Sequence, residues 1–207
     1  MSQVHVSTHP LVLHKLTLLR DVGTDPKQFR ELVGELAQLL FFEATRHLHT
    51  EPYTVQTPLA QCEGVRLHDR IGILPILRAG LGMADAILQM VPQATVRHLG
   101  LYRDHVTHKP ITYYNKLPEQ PDFDVAIIVD PMLATGGSAV AVIDLLKRWG
   151  VKRIKFIGLI AAPEGVRAIV ADHPDVPIYL AALDSHLDEN AYIVPGLGDA
   201  GDRQFAT

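Results

Sequence analysis

The chain predicts an α/β fold: a mostly parallel sheet flanked by helices, with a helical N-terminal region. Three observations carry that prediction. From residue 71 onward, short apolar runs alternate with helical segments, the order expected of strand–helix–strand units. The runs are nearly continuous in apolar character, as strands covered on both faces are. The stretch before residue 45 instead repeats its apolar residues every three or four positions. At 207 residues, 47% hydrophobic and 20% charged, the chain suits one domain over 1–207, and disorder is excluded.

Taken in order, Leu11, Leu16, Leu18 and Leu19 mark a short helical segment ending at Arg20-Asp21. A second helix has a legible start, with Asp25 as cap, Pro26 in the first helical position and Gln28 three residues after the cap. Phe29, Leu32, Val33, Leu36, Leu39 and Leu40 then share one stripe, to be buried in the core or in a contact between subunits. On the second alternative the chain is a homo-oligomer, dimer or tetramer. The first third of the chain reads as helix throughout. Strands are expected at 71–77, 96–101, 125–130, 154–161 and 178–182. Helices are expected at 81–91, at 138–149 before Gly150, and at 164–173 between Pro163 and Pro174. Residues 102–121 hold three tyrosines and three prolines without periodicity and read as an excursion loop.

Composition narrows the function. The 19 basic and 23 acidic residues give a net charge of −4, against nucleic acid as the main partner. Up to Leu183 the two signs balance at 18 each, so the excess lies in the last 24 residues, where five acids face Arg203 alone. That stretch contains the apolar, turn-rich Tyr192-Ile193-Val194-Pro195-Gly196-Leu197-Gly198, a candidate site rather than a solvated tail. The single cysteine, Cys62, excludes an internal disulfide and a multi-thiolate zinc site, and reads as inert. No uncharged run reaches the roughly 18–20 apolar residues of a membrane span. The N-terminus lacks the pattern of a secretory signal, so a cytoplasmic location is expected. The eleven histidines show no ligand spacing: His47 and His49 do not share a helix face, and His105 and His108 have only Asp104 nearby. No residues are assigned to a protein-held metal.

In an open parallel sheet, ligands collect beyond the carboxyl ends of the strands. The segment Ile127-Ile128-Val129-Asp130-Pro131-Met132-Leu133-Ala134-Thr135-Gly136-Gly137-Ser138 is a buried strand ending in a carboxylate, a small-residue turn and a helix entry at Ser138. Thr135, Gly136, Gly137 and Ser138 can aim backbone amides and two hydroxyls at one point, where the helix dipole adds positive charge: a phosphate site. Asp130 repels phosphate but can accept hydrogen bonds from the hydroxyls of an attached sugar. No lysine follows the glycines, so this is not a nucleoside-triphosphate loop.

This segment resembles the phosphoribosyl-diphosphate loop of phosphoribosyltransferases. The chain is similar, more narrowly, to the uracil phosphoribosyltransferases, and the similarity extends over its whole length. Pro75-Ile76-Leu77-Arg78-Ala79-Gly80-Leu81-Gly82-Met83 resembles that family's diphosphate-side loop. Ala161-Ala162-Pro163-Glu164-Gly165 and His173-Pro174-Asp175-Val176 resemble its later strand and helix. The run from Tyr192 to Arg203 resembles its uracil-binding segment, and His9-Pro10-Leu11 with His14-Lys15 its N-terminus.

The resemblance implies a type I phosphoribosyltransferase-like fold with a C-terminal base-binding segment, and transfer of phosphoribose from 5-phospho-α-D-ribose 1-diphosphate to uracil. It implies that Arg78, Arg103, Asp130, Pro131, Met132, Leu133, Ala134, Thr135, Gly136, Gly137, Ser138 and Asp199 bind phosphoribosyl diphosphate, with Asp130 catalytic. Uracil would meet Ile193, Gly198, Asp199 and Ala200. Mg²⁺ is the implied helper and GTP an activator of some relatives. Phosphoribosyltransferases commonly end this strand in two acids; Pro131 occupies the second place, as in the uracil-specific family, which argues against an acidic pair holding the metal. The 102–121 stretch would close over the site. The same fold acting on another base is the nearest rival. An RNA-binding regulator on this fold should carry a basic face, which the 18-to-18 balance does not offer.

Overall fold

The structure, a computed structural model, describes residues 4–103, 110–115 and 118–207, with the backbone alone for 99–103 and 110–115. A short strand β1 (Val4–Val6) leads into helices α1 (Pro10–Arg20) and α2 (Pro26–Ala44), then a hairpin of β2 (Thr50–Gln56) and β3 (Gln61–Leu67). Next come β4 (Ile71–Pro75), α3 (Leu81–Met90), β5 (Thr95–Val96) and a second hairpin, β6 (Leu99–Arg103) and β7 (Pro110–Asn115). The remainder alternates: β8 (Val125–Val129), β9 (Met132–Leu133), α4 (Gly137–Trp149), β10 (Arg153–Ala161), α5 (Pro163–Asp172) and β11 (Ile178–Leu183). A small ribbon, β12 (His186–Leu187) with β13 (Ile193–Val194), and α6 (Ala200–Phe205) close the chain.

The large sheet runs β1-β11-β10-β8-β4-β5 with β9 beside β10, and every pairing in it is parallel. Side chains alternate across it. Val125, Ile127 and Val129 join a core with α1, α2 and α3, while Ala126 and Ile128 join a second core with α4 and α5. Burial on both faces is why these strands read as unbroken apolar runs.

The α2 start matches expectation: Asp25 accepts a hydrogen bond from the Gln28 amide at 2.9 Å, and Pro26 is the first helical residue. The α2 stripe is mostly core. Phe29, Leu32, Val33, Leu36 and Leu40 are buried within the subunit, while Leu39 is half-buried and lines a surface groove.

The structure corrects three expectations and adds one strand that was not expected. The first third is not all helix, because residues 50–67 form a hairpin whose two faces are mostly exposed. A strand with no buried face leaves little apolar alternation to read. The expected strand 96–101 divides: Thr95–Val96 pairs with β4, and Leu99–Arg103 turns away into the second hairpin. The 102–121 stretch is not an irregular loop throughout, since β6 and β7 pair in antiparallel register with a shift between Gly100 and Leu101. Such a shift breaks the period-two signal. His105, His108 and Asp104 lie outside the described residues. Finally, β1 escapes notice because three residues are too few to show a pattern, and its partner β11 lies far along the chain.

Asp69 ties the root of the first hairpin to β10. Its carboxylate accepts hydrogen bonds from Arg153 at 2.9 and 2.5 Å and from the His49 amide at 2.7 Å. The Arg153 bonds hold its carboxyl well below the usual range, against the upward pull of burial. A depressed folded value means stability that is present above the unfolded value near 4 and lost as pH falls below it. Asp69→Asn should therefore cost about 2–3 kcal/mol at pH 7, tempered by the exposure of Arg153. The gap to wild type should narrow below about pH 4, measured by denaturant unfolding at both pH values.

Candidate active site

The chain changes direction between β4 and β8. After β4 it winds outward to β5; after β8 it winds the other way through β10 to β11. The helices that follow, α3 and α4, pack on opposite faces. The turns leaving β4 and β8 thus diverge and leave a crevice at the strand ends. The two turns touch at their bases: the Ile76 amide donates to the Val129 carbonyl at 3.0 Å, and a side chain on Gly80 would come within 2.5 Å of that same oxygen.

Beyond β8, the Pro131 carbonyl accepts hydrogen bonds from the Leu159 and Ile160 amides at 3.1 and 3.0 Å, and β9 adds to the edge of β10. The turn then enters α4 at Gly137, one residue earlier than expected. Ser138 lies within the first helical turn, and no side chain caps the helix. Gly136 has φ +84° and presses so closely on α5 that an added Cβ would meet the Gly165 carbonyl at 2.8 Å, so glycine is required there.

A cleft of about 400 Å³ opens over this turn, lined by Asp130, residues 132–139, Ala191 and Asp199. The structure thus brings Asp199 to Asp130 and the small-residue turn, although Asp199 lies 69 positions after Asp130 in sequence. Ala191, with φ +64°, is a lining residue that sequence reasoning missed, and its type offers no signal. Burial pushes the Asp130 carboxyl up to about 7, against the hydrogen bond that the Met132 amide donates to it.

The other expected residues are not among those lining this cleft. Arg78 is exposed on the turn after β4, 3.9 Å from the Asp202 carboxylate and with its guanidinium 5.8 Å from the centre of the Phe205 ring. Arg103 belongs by its backbone to β6; its side chain lies outside the described residues. Ile193 is buried in the β12–β13 ribbon, Gly198 has φ +78°, and Ala200 is fully buried at the start of α6. The Ala200 carbonyl accepts a hydrogen bond from the Gln204 side chain at 3.1 Å. Asp199 caps α6, accepting a hydrogen bond from the Asp202 amide at 2.9 Å.

The C-terminal acids are mostly occupied within the fold. Arg20 grips Asp184 with bonds of 2.8 and 2.5 Å and donates to the Gly196 carbonyl at 2.6 Å, while the Gly196 amide donates to Asp184 at 3.0 Å. Asp188 accepts from the amides of Asn190 and Tyr192 at 2.9 and 2.8 Å, holding the turn before β13.

A raised folded value for Asp130 has the opposite sign to Asp69. As pH climbs from about 4 the unfolded chain ionises first, so the free protein loses stability up to about pH 7 and stays level above. Asp130→Asn removes that penalty. Its melting temperature should match wild type near pH 4 and exceed it at pH 8, read by calorimetry; a lower value at pH 8 would contradict the assignment of burial as the cause.

Comparison with known proteins agrees with this architecture. The sequence pattern described as uracil phosphoribosyltransferase matches residues 6–207. The chain is 63% identical to the uracil phosphoribosyltransferase of Roseiflexus castenholzii over the full length of both. Among solved structures, the AQ2163 protein from Aquifex aeolicus superposes with a TM-score of 0.87 at 37% identity, covering 99% of each chain. A hypoxanthine phosphoribosyltransferase from Staphylococcus aureus shares the fold at a TM-score of 0.53 and 13% identity, covering 76% of each chain. With its parallel sheet, its turn at Asp130 and a family match over nearly its whole length, the chain belongs to the uracil phosphoribosyltransferase family.

Proposed function

We propose that the chain transfers the phosphoribosyl group of 5-phospho-α-D-ribose 1-diphosphate to uracil in the cytoplasm, giving UMP and diphosphate. The observation that carries this reading is the meeting of Asp130, the turn entering α4 and Asp199 around one cleft. In the reaction the bond from ribose C1 to a diphosphate oxygen breaks, and C1 bonds to uracil N1, which loses its proton. Positive charge grows on the sugar and negative charge on the leaving group, so the useful devices are a carboxylate near the ribose and cations or dipoles at the diphosphate.

The residues divide accordingly. Residues 132–138 wrap the 5′-phosphate, with the α4 amides and dipole supplying positive field. Asp130 accepts hydrogen bonds from the ribose hydroxyls and, once ionised, steadies the developing charge. Its raised value in the free protein fits this task, because a cationic transition state favours the charged form. Arg78, a short reach from Asp202, turns to the diphosphate, and Arg103 joins it. Uracil presents two carbonyls flanking an N–H, an edge that main-chain groups of Ile193, Gly198, Asp199 and Ala200 read without side-chain chemistry. A rigid slot of this kind rejects purines by size and cytosine by its altered hydrogen-bond pattern.

Among the described residues no three His, Cys, Asp or Glu side chains gather as a metal site, and Pro131 stands beside Asp130 where a second acid would be. Two carboxylates, Asp130 and Asp199, do line the cleft, which suits a Mg²⁺ held largely by substrate oxygens. When bound, Mg²⁺ neutralises diphosphate charge. An oligomer, dimer or tetramer, is supported by the exposed Leu11, Phe42 and Met90, which line an apolar groove of about 410 Å³. GTP, an activator of some relatives, is added in a separate arm of the assay below.

UMP formation from uracil and phosphoribosyl diphosphate tests the proposal, with orotate, hypoxanthine and cytosine run in parallel and Mg²⁺ present or absent. Turnover of uracil alone, dependent on Mg²⁺, is expected; preference for another base would overturn it. Asp130→Asn should lower kcat about a hundredfold. Arg78→Ala should raise KM for phosphoribosyl diphosphate at least tenfold with a smaller effect on uracil, as expected for a lost charged contact of roughly 1.5–3 kcal/mol.

A further inference from the structure

Gln204 is 1% exposed and lies on α6, behind the segment assigned to uracil. Its side-chain amide nitrogen donates two hydrogen bonds, to the Ala79 carbonyl at 3.0 Å and to the Ala200 carbonyl at 3.1 Å. Ala79 directly follows Arg78, and Ala200 directly follows Asp199. One buried amide therefore spans the main chain beside the diphosphate arginine and the main chain beside the base segment. Its own backbone is fixed as well, since Arg30 on α2 donates to the Gln204 carbonyl at 2.7 Å.

We infer that Gln204 is a positioning residue that sets the Arg78 turn relative to the base-binding segment, so that diphosphate and uracil are held in one register. The inference rests on the site reading above. It follows from the surroundings of Ala79: the turn after β4 is exposed at Arg78, and the Gln204 bond is a tether from outside its own element. A side chain that only filled space would need no donor. This one spends both N–H groups on carbonyls of two different segments. Misplacing a binding arginine by a fraction of its reach weakens the grip on diphosphate without altering the chemistry at Asp130.

Two perturbations test this from opposite sides. Gln204→Met keeps the volume and deletes the donor. Gly82→Ala keeps the glutamine but places a methyl 2.5 Å from its Oε1, so the amide must move, and this variant carries the test if Gln204→Met folds poorly. Each should raise KM for phosphoribosyl diphosphate about five- to tenfold, the worth of one buried hydrogen bond, with kcat within about twofold. In an Arg78→Ala background the further rise should fall below about twofold, because both changes act through one contact. Additive effects in the double variants would overturn the inference while leaving the site reading intact. So would an unchanged KM in Gln204→Met and Gly82→Ala beside an impaired Arg78→Ala. An unchanged KM in Arg78→Ala itself would instead defeat the site reading, and the inference with it.

Discussion

The grip of Arg20 on Asp184 and Gly196 is the constraint on which the site depends. The last 24 residues add no strand to the large sheet, so their backbone must find partners elsewhere. Cations at helix ends provide them. Arg20, the last residue of α1, binds the nearly buried Asp184 and the Gly196 carbonyl together. Arg203 donates to the carbonyls of Leu19, Leu197 and Asp21, and stacks 4.4 Å from the centre of the Phe29 ring. Charged hydrogen bonds of this kind are stronger than neutral ones, and removing one member would strand a buried carboxylate. The N-terminal helices and the C-terminal segment are in this way a single structural unit, and they hold Asp199 over the end of β8.

Asp130 stands in contrast. Asp69 and Asp184 are buried and answered by arginine, whereas burial drives the Asp130 carboxyl upward, against the hydrogen bond from the Met132 amide. Folding alone would not favour a carboxylate there. A carboxyl whose charged form is disfavoured by burial, at a strand end above the switch in sheet direction, is the kind of group that recurs at ligand sites.

Much of this was legible before any coordinates. The α2 cap at Asp25, the Gly150 helix end and the both-faces-buried strands 125–130 and 154–161 were readable because each depends on local geometry or on uniform burial. The turn from Asp130 to Ser138 was readable because strand, carboxylate and glycines are contiguous. Less legible were the two hairpins. One has mostly exposed faces and the other a register shift, and both defects erase the period-two pattern. Acids that looked like an excess of charge at the C-terminus prove to be a pairing partner, a turn-former and a cap.

By itself, then, the sequence determined the α/β fold class, the main strands and helices of the large sheet after residue 71, and the run from strand through carboxylate and glycine turn into helix at Asp130. These follow from contiguous residues whose spacing and burial are read along the chain. Only the tertiary structure decided that most of the α2 stripe is buried inside the subunit, that Ala191 and Asp199 share a cleft with Asp130, and that Gln204 joins the Arg78 turn to α6. Each of these is a contact between elements far apart in sequence. Such contacts are set by the three-dimensional path of the chain around the sheet, which no local pattern encodes.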